Sequence, residues 1–329
     1  MGIDVVIAAG DGRASRKVFR KNKAMLDVAG KPMILHIVEV LRACSAVDKI
    51  VAVGPKEVFE EIIGGFDVRI VQQKRSLAEN GWEGFLCTID EYWETGRLTP
   101  DILERYHDKP VLFLSGDIPL ISVKELNEFI SQCDMERYDY IAGATSENVL
   151  KLFGPRKGRP GIKMATFHMW DGNLRQNNFH MAKPFLLLQS IDLVLEVYEY
   201  RYQREIFNII KSFFKLIRFS RGNIFRTLGM YLTLQASAGL SALGFERAAH
   251  LASFPVTRPR MERLISHLLN VRFKIVLTTV GGAALDVDNE KDYITLSIMY
   301  RDWMNQIAPE AITTSRSGPR QSRGTGPHE

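Results

Sequence analysis

The residues best equipped for chemistry lie in the first thirty positions. Gly10 and Gly12 follow the apolar run Val5-Val6-Ile7-Ala8-Ala9, and Arg13, Arg16 and Lys23 come soon after. A strand that breaks into small residues lets bare N–H groups approach an anion, and the cations beyond it neutralise the charge. Glycines after a strand also mark plain turns. What strengthens the phosphate-binding reading is the continuation Asn22-Lys23-Ala24-Met25-Leu26 and then Gly30-Lys31-Pro32. Lys31 by itself reads as a solvent lysine.

Such a loop needs a buried sheet behind it. Residues 3–8 read as the first strand. Pro32 opens a helix, where its missing N–H costs nothing, and Met33, Ile34, Ile37, Val38 and Leu41 give that helix an apolar stripe. Further strands are expected at 49–53, 68–71, 110–114 and 138–142, with helices at 58–63 and 77–93. The fourth strand runs into Ser115-Gly116-Asp117-Ile118-Pro119-Leu120. Ser122 and Glu125 have capping-box spacing for the next helix. Continuous apolar strands separated by helices describe a mostly parallel sheet covered on both faces. Ligands of such sheets sit at the carboxyl ends of the strands, and Gly10, Gly12 and Asp117 all fall at that edge.

Beyond Val149 the pattern changes. Residues 154–160 are basic and turn-rich, and 162–169 with the turn Asp171-Gly172-Asn173 suggest a hairpin-like excursion. Residues 190–219, 221–245 and 259–270 read as helical, and 272–278 returns to strand character. Asp286-Val287-Asp288-Asn289 leads into a last helix from Glu290. From about residue 313 the chain is rich in Gly, Ser and Arg and is expected to be disordered.

The 329 residues, 46% hydrophobic and 25% charged, suit one large globular domain or two modest ones. The net charge of +5 is mild, and the basic stretch 315–324 supplies part of it. Nothing in it calls for a nucleic-acid partner. Cys44, Cys87 and Cys133 are scattered and odd in number, which argues against a disulfide framework and fits a reducing cytoplasm. No signal peptide is expected ahead of the first strand. No zinc-ligand spacing or Ser-His-Asp signature is present, and His36, on an apolar helix face, reads as a packed residue.

Three segments together resemble the MobA-like NTP transferase superfamily, the nucleotidyltransferases with a GT-A-type Rossmann-like fold. They are Ala8-Ala9-Gly10-x-Gly12 with Asn22–Leu26 and Gly30–Met33, then Gly116-Asp117-Ile118-Pro119-Leu120, then Asp286-Val287-Asp288-Asn289-Glu290-Lys291-Asp292-Tyr293. The resemblance covers about 1–150 and 272–305. It departs from the family pattern after Gly12, where Arg13-Ala14-Ser15-Arg16 replaces Gly-Thr-Arg. It implies an α/β fold, a mostly parallel mixed sheet flanked by helices, with a helical insertion. The implied layout is a nucleotide-binding half at 1–150, an acceptor-site segment at 151–190, the insertion at 191–271, a return to the catalytic domain at 272–312, and a tail at 313–329.

The implied reaction is attack by a phosphate monoester on the α-phosphorus of an NTP, with release of pyrophosphate. Positioning and charge neutralisation do most of that work. Ala8, Ala9, Gly10, Asp11, Gly12 and Gly116 are expected around the nucleotide, with Ser76 and Asn80 at the base. Either Arg13 or Arg16 suits the β/γ-phosphates, and Lys23 suits the α-phosphate. The implied cofactor is Mg²⁺, held by Asp117 and Asp288, with Asp286 as the fallback ligand; hard oxygen donors suit that ion. The acceptor is expected to be a sugar phosphate or a polyol or alcohol phosphate. Lys163, Arg175, Asn177 and Asn178 offer cations and amides for it, within a polar run that also holds His168, His180 and Lys183.

The insertion carries Ile206, Phe207, Ile209, Ile210, Phe213, Phe214, Leu216, Ile217 and Phe219 opposite Lys211, Lys215 and Arg218. A basic amphipathic helix of this kind suits peripheral contact with an anionic membrane. It equally suits packing on the sheet domain or a homodimer through 204–245. Residues 227–245 carry no charge, but their Gln, Ser, Thr and Gly content makes a poor membrane span. Two rival functions stand beside the leading one. A GT-A glycosyltransferase would want an Asp-x-Asp at the end of the fourth strand, where only Asp117 is found. A non-catalytic nucleotide-binding protein docked on a membrane would not need Asp117.

Overall fold

The computed structural model describes residues 2–10, 17–188 and 224–309. Its centre is a seven-stranded sheet of order β5-β4-β1-β6-β8-β7-β9. The strands are β1 (Ile3–Ala8), β4 (Val47–Gly54), β5 (Arg69–Gln72), β6 (Val111–Ser115), β7 (Tyr140–Ser146), β8 (Leu174–Ala182) and β9 (Phe273–Thr278). The small pair β2 (Asp27–Val28) and β3 (Lys31–Pro32) forms a separate hairpin. Among the described strands of the seven-stranded sheet, β8 alone runs antiparallel, wedged between β6 and β7.

The strands are apolar on both faces because helices cover both. Val5 and Ile7 of β1 pack with Ile34, Ile37, Val38 and Leu41 of α1 (Met33–Ala43) and with Phe129 of α6 (Val123–Gln132). On the other face, Val6, Val51 and Val53 meet Phe85 and Leu86 of α3 (Leu77–Leu86). The remaining amino-terminal helices are α2 (Lys56–Ile63), α4 (Asp90–Thr95) and α5 (Pro100–Arg105). Short helices α7 (Glu147–Leu150) and α8 (Pro184–Leu187) flank the β8 excursion, and α9 (Ile224–Ala242), α10 (Glu246–Ala252) and α11 (Arg258–Leu269) precede β9.

The last helix, α12 (Glu290–Ile307), lays Leu296, Met299 and Trp303 on a second cluster with Val28, Met33, Leu120 and Phe153. His36 is packed at this seam: its Nε2 meets the Val28 carbonyl at 2.7 Å, and its Nδ1 meets the Tyr300 hydroxyl at 2.9 Å. Burial holds the His36 pKa below the ordinary histidine value.

Several expectations need correction. The helix begins just after Pro32, as expected, but the β2–β3 hairpin before it, with its turn at Ala29 and Gly30 at φ of 52° and 92°, was not anticipated. The helix expected at 77–93 breaks at Cys87–Ile89, and α5 was not anticipated. Most important, the polar run at 174–182 was not anticipated as a strand. It is a strand of the central sheet, and 162–169 joins its ladder only at the Phe167–Leu174 bridge. The helix read at 190–219, and with it the whole amphipathic face at 206–219, lies outside the described residues. No described helix is long and apolar enough to cross a membrane.

Candidate active site

Lys23 and Asp117 are brought together by three local devices. Asn22 caps the 3₁₀ turn Lys23–Met25, its Oδ1 accepting from Ala24 N at 3.0 Å while its Nδ2 donates to the Ala9 carbonyl at 2.9 Å. The lysine turn is thereby tied to the end of β1. Gly116, just past β6, donates its N–H to the Ala8 carbonyl at 3.0 Å. A Cβ at Gly116 would stand 2.5 Å from the Ala9 Cβ and 3.3 Å from that of Ala24, so only glycine lets these segments close. Ser115 Oγ then hydrogen-bonds Asp117 Oδ1. The outcome is a Lys23 Nζ to Asp117 Oδ2 contact of 2.5 Å, both side chains nearly buried.

The second carboxylate segment arrives after β9. Gly281 takes φ of 86°, which L side chains resist. Asn289 caps α12, its Oδ1 accepting from Asp292 N at 3.0 Å. Asp288 Oδ1 lies 3.8 Å from Lys23 Nζ and is buried with no hydrogen-bond partner among the described residues. Asp286 is held differently, by Arg175 Nη2 at 2.7 Å.

Charge follows from this placement. Burial works against the Lys23 ammonium, but Asp117 in contact, with Asp288 and Asp286 beyond, more than offsets it, and its pKa stands above the ordinary lysine value. Burial and the neighbouring Asp286 push the Asp288 carboxyl above the usual range, with Lys23 pulling the other way. Two aspartates facing one ammonium, one of them with an orphaned oxygen, form a hard-oxygen set that a divalent cation fits. Among the described residues no three His, Cys, Asp or Glu side chains gather closely enough to hold a metal unaided. An ion here would complete its shell with substrate oxygens.

On the other side of β1 the floor is set by Gly10. A Cβ there would lie 2.7 Å from Asn80 Nδ2 and 3.2 Å from Gln73 Oε1. Asn80 is buried, its Oδ1 accepting from Lys74 N at 2.5 Å. A cleft of about 550 Å³ opens beside it, lined by Gln73, Lys74, Arg75, Glu79 and Trp82. Ser76 is the N-cap of α3, and its hydroxyl accepts from Glu79 N at 3.2 Å in a capping box. Asp11, Gly12, Arg13 and Arg16 lie outside the described residues.

The four acceptor residues part company. Lys163 is exposed. Asn177 is buried at 2% exposure over Gly143, donating to Thr278 Oγ1 at 3.1 Å and accepting from Phe179 N at 3.1 Å. It is therefore an internal brace, not a lining group. Asn178 Nδ2 donates to the Ala283 carbonyl at 2.8 Å, and Arg175 Nε to that of Ala284 at 2.9 Å. Both hold the loop that carries Asp286 and Asp288. Lys183 is buried near the amino-terminal end of β6, 3.3 Å from Asp108. Sequence pattern alone points to no role for Asn22 or Ser115, although both stand inside the quoted motifs. Their polar side chains beside a glycine or a buried strand were the available signal.

Comparison with known proteins bears on this geometry. The family model described as "MobA-like NTP transferase domain" matches residues 5–199. The bifunctional protein GlmU of Chromohalobacter salexigens is 31% identical over 139 residues, 42% of this chain and 27% of that protein. GlmU of Francisella tularensis subsp. holarctica is 29% identical over 147 residues, 44% of this chain and 28% of that protein. The chain thus spans little more than a quarter of the curated relatives it matches. A hypothetical transferase from Thermus thermophilus superposes with a TM-score of 0.60 at 17% identity, over 89% of this chain and 99% of that one. That likeness is one of fold.

Proposed function

This chain belongs to the MobA-like NTP transferase family, and on that premise we propose that it joins an NTP to a sugar phosphate or a polyol or alcohol phosphate. An oxygen of the acceptor phosphate attacks the α-phosphorus, the bond to the bridging oxygen breaks, and pyrophosphate leaves with that electron pair. The observation that carries the reading is the convergence of Lys23 on Asp117 and Asp288, at 2.5 and 3.8 Å, on the carboxyl edge of the sheet.

In this reading Lys23 neutralises charge developing at the α-phosphate, and its burial makes that neutralisation stronger than in water. The backbone of Ala8, Ala9, Gly10, Asp11, Gly12 and Gly116 cradles the nucleotide. Asn80 borders the base, with Ser76 ordering the helix start beside it. Arg13 or Arg16 holds the β/γ-phosphates. Asp117 and Asp288 would hold Mg²⁺, with Asp286 in reserve behind Arg175. When bound, the ion supplies Lewis-acid polarisation of phosphate oxygens. Lys163, Arg175 and Asn178 face the acceptor side, the last two through the loop they brace. The reaction is assigned to the cytoplasm, with 204–245 meeting an anionic membrane or a second copy. The layout follows: a nucleotide half to about 150, an acceptor segment to 190, an insertion to 271, and a return to the same domain.

The test is direct. Purified protein with Mg²⁺, the four NTPs and a panel of sugar and polyol phosphates should release pyrophosphate with at least one pair, and Asp117→Ala should lower that rate at least ~10²-fold, the scale of losing one electrostatic contact at a reacting phosphate. No pyrophosphate from any pair, or a rate indifferent to Asp117→Ala, would sink the proposal.

A further inference from the structure

The carboxylates of the site come from two segments far apart in sequence, and something must fix their separation. Asp117 lies between β6 and α6; Asp286 and Asp288 lie between β9 and α12. The segments touch where a Cβ on Gly282 would stand 2.0 Å from the Leu120 carbonyl oxygen. Beside that contact is a carboxylate that the reaction above does not use. Glu125, in the first turn of α6, is 0% exposed.

Its spacing from Ser122 is that of a capping box, and Ser122 Oγ does accept from Glu125 N at 3.2 Å. The Glu125 side chain, however, turns inward instead of back to the helix start. Its Oε1 accepts from Thr278 Oγ1 at 2.9 Å and from Gly281 N at 3.0 Å, and its Oε2 accepts from Ala283 N at 2.9 Å. Three donors, from the last residue of β9 and the loop after it, converge on one buried carboxylate. The loop's carbonyls at Ala283 and Ala284 point the other way, to Asn178 and Arg175. Glu128, one turn along α6, grips the same loop by accepting from Thr279 N at 3.0 Å.

A carboxylate placed there is costly. Burial pushes its pKa up to about 7, against three hydrogen bonds that favour the ionised form, and the nearby Glu128 charge adds to the rise. Apolar packing would fill the same volume at lower cost. What glutamate provides and an apolar residue does not is a fixed position for the loop.

We infer that Glu125 is a positioning residue: it clamps the loop bearing Asp286 and Asp288 against the segment bearing Asp117, and so sets the spacing of the carboxylates across the site. The inference rests on the reading that those carboxylates hold a divalent ion.

Amide hydrogen exchange and Mn²⁺ titration by electron paramagnetic resonance, both on the full chain, test it. In Glu125→Gln an amide N–H must face the loop's own donors. Exchange at Gly281 and Ala283 should rise at least ~10-fold, as expected for loss of charge-assisted hydrogen bonds, while α1 and β1 keep their protection. Mn²⁺ affinity should weaken about tenfold at pH 8. In the wild type it should strengthen as pH rises through about 7, a rise that Glu125→Gln lacks and Glu125→Asp partly restores. Unchanged exchange at 281–283 overturns the clamp. Mn²⁺ binding within twofold of wild type in Glu125→Gln, where Asp117→Ala weakens it, overturns the positioning role. If Asp117→Ala binds Mn²⁺ as the wild type does, the metal reading itself fails and the inference falls with it. Should Glu125→Gln not fold, Thr278→Val withdraws one donor and should show the same changes on a smaller scale; showing none overturns the inference.

Discussion

An ammonium wedged between carboxylates is the smallest unit on which this protein depends. Lys23 sits against Asp117 with both side chains nearly out of water, so removing it leaves an uncompensated buried charge rather than a vacant surface position. Lys23→Met should lower stability by about 3–5 kcal/mol without ligand and cut turnover ~10²–10³-fold. A divalent cation should then raise the melting temperature more in the variant than in the wild type, because it takes over the neutralisation. Equal shifts in a thermal melt would show that the lysine and the ion do not share these carboxylates. That Lys23, Asp117 and Asp288 come together accords with the three family-like segments in which they stand, each beside a glycine, a strand end or a helix cap. Asn177 was misread for the opposite reason. Its partners, Thr278 and a bare Gly143, come from other strands, and nothing within its own neighbourhood announces them.

At the scale of elements, the site is a meeting of loop ends, and the glycines decide how closely they meet. Gly116→Ala would drive a methyl into Ala9 and Ala24. Overpacking of this kind costs about 1–3 kcal/mol. Here it should also lever the Lys23 turn away from Asp117, so nucleotide affinity should fall by more than the stability loss explains. Isothermal titration of the nucleotide against a calorimetric melt separates the two. The parallel strands were readable from apolar runs, since they are buried on both faces. β8 was not, because Arg175, Gln176, Asn177 and Asn178 look like a loop. Its apolar half, Leu174, Phe179 and Met181, enters the core, while Arg175, Asn177 and Asn178 are satisfied by the 278–286 loop. The Ser122–Glu125 spacing likewise suggested a local cap, and a partner about 150 residues away won the side chain instead.

For the whole molecule, Glu125 links the site to overall stability. Its folded pKa of about 7 exceeds the ordinary 4.5, so between those values the native state holds a proton that the unfolded chain has released. Stability therefore falls as pH rises from about 4.5 to about 7, by on the order of 3 kcal/mol from this group. Denaturant melts across that window should show the slope in the wild type and lose it in Glu125→Gln. If the two slopes match, Glu125 titrates normally.

The pairing of β7 with β9 joins Tyr140 to Phe273, a closure across more than a hundred residues. Pairings of such long separation are slow to form. During synthesis the phosphate loop, Lys23 and Asp117 are all made well before β9, the Glu125 clamp and Asp288 can join them. On the proposed function, the residues assigned to the nucleotide are therefore made before the loop bearing Asp286 and Asp288 can close on them, so the site is completed only by the last long-range pairing of the sheet.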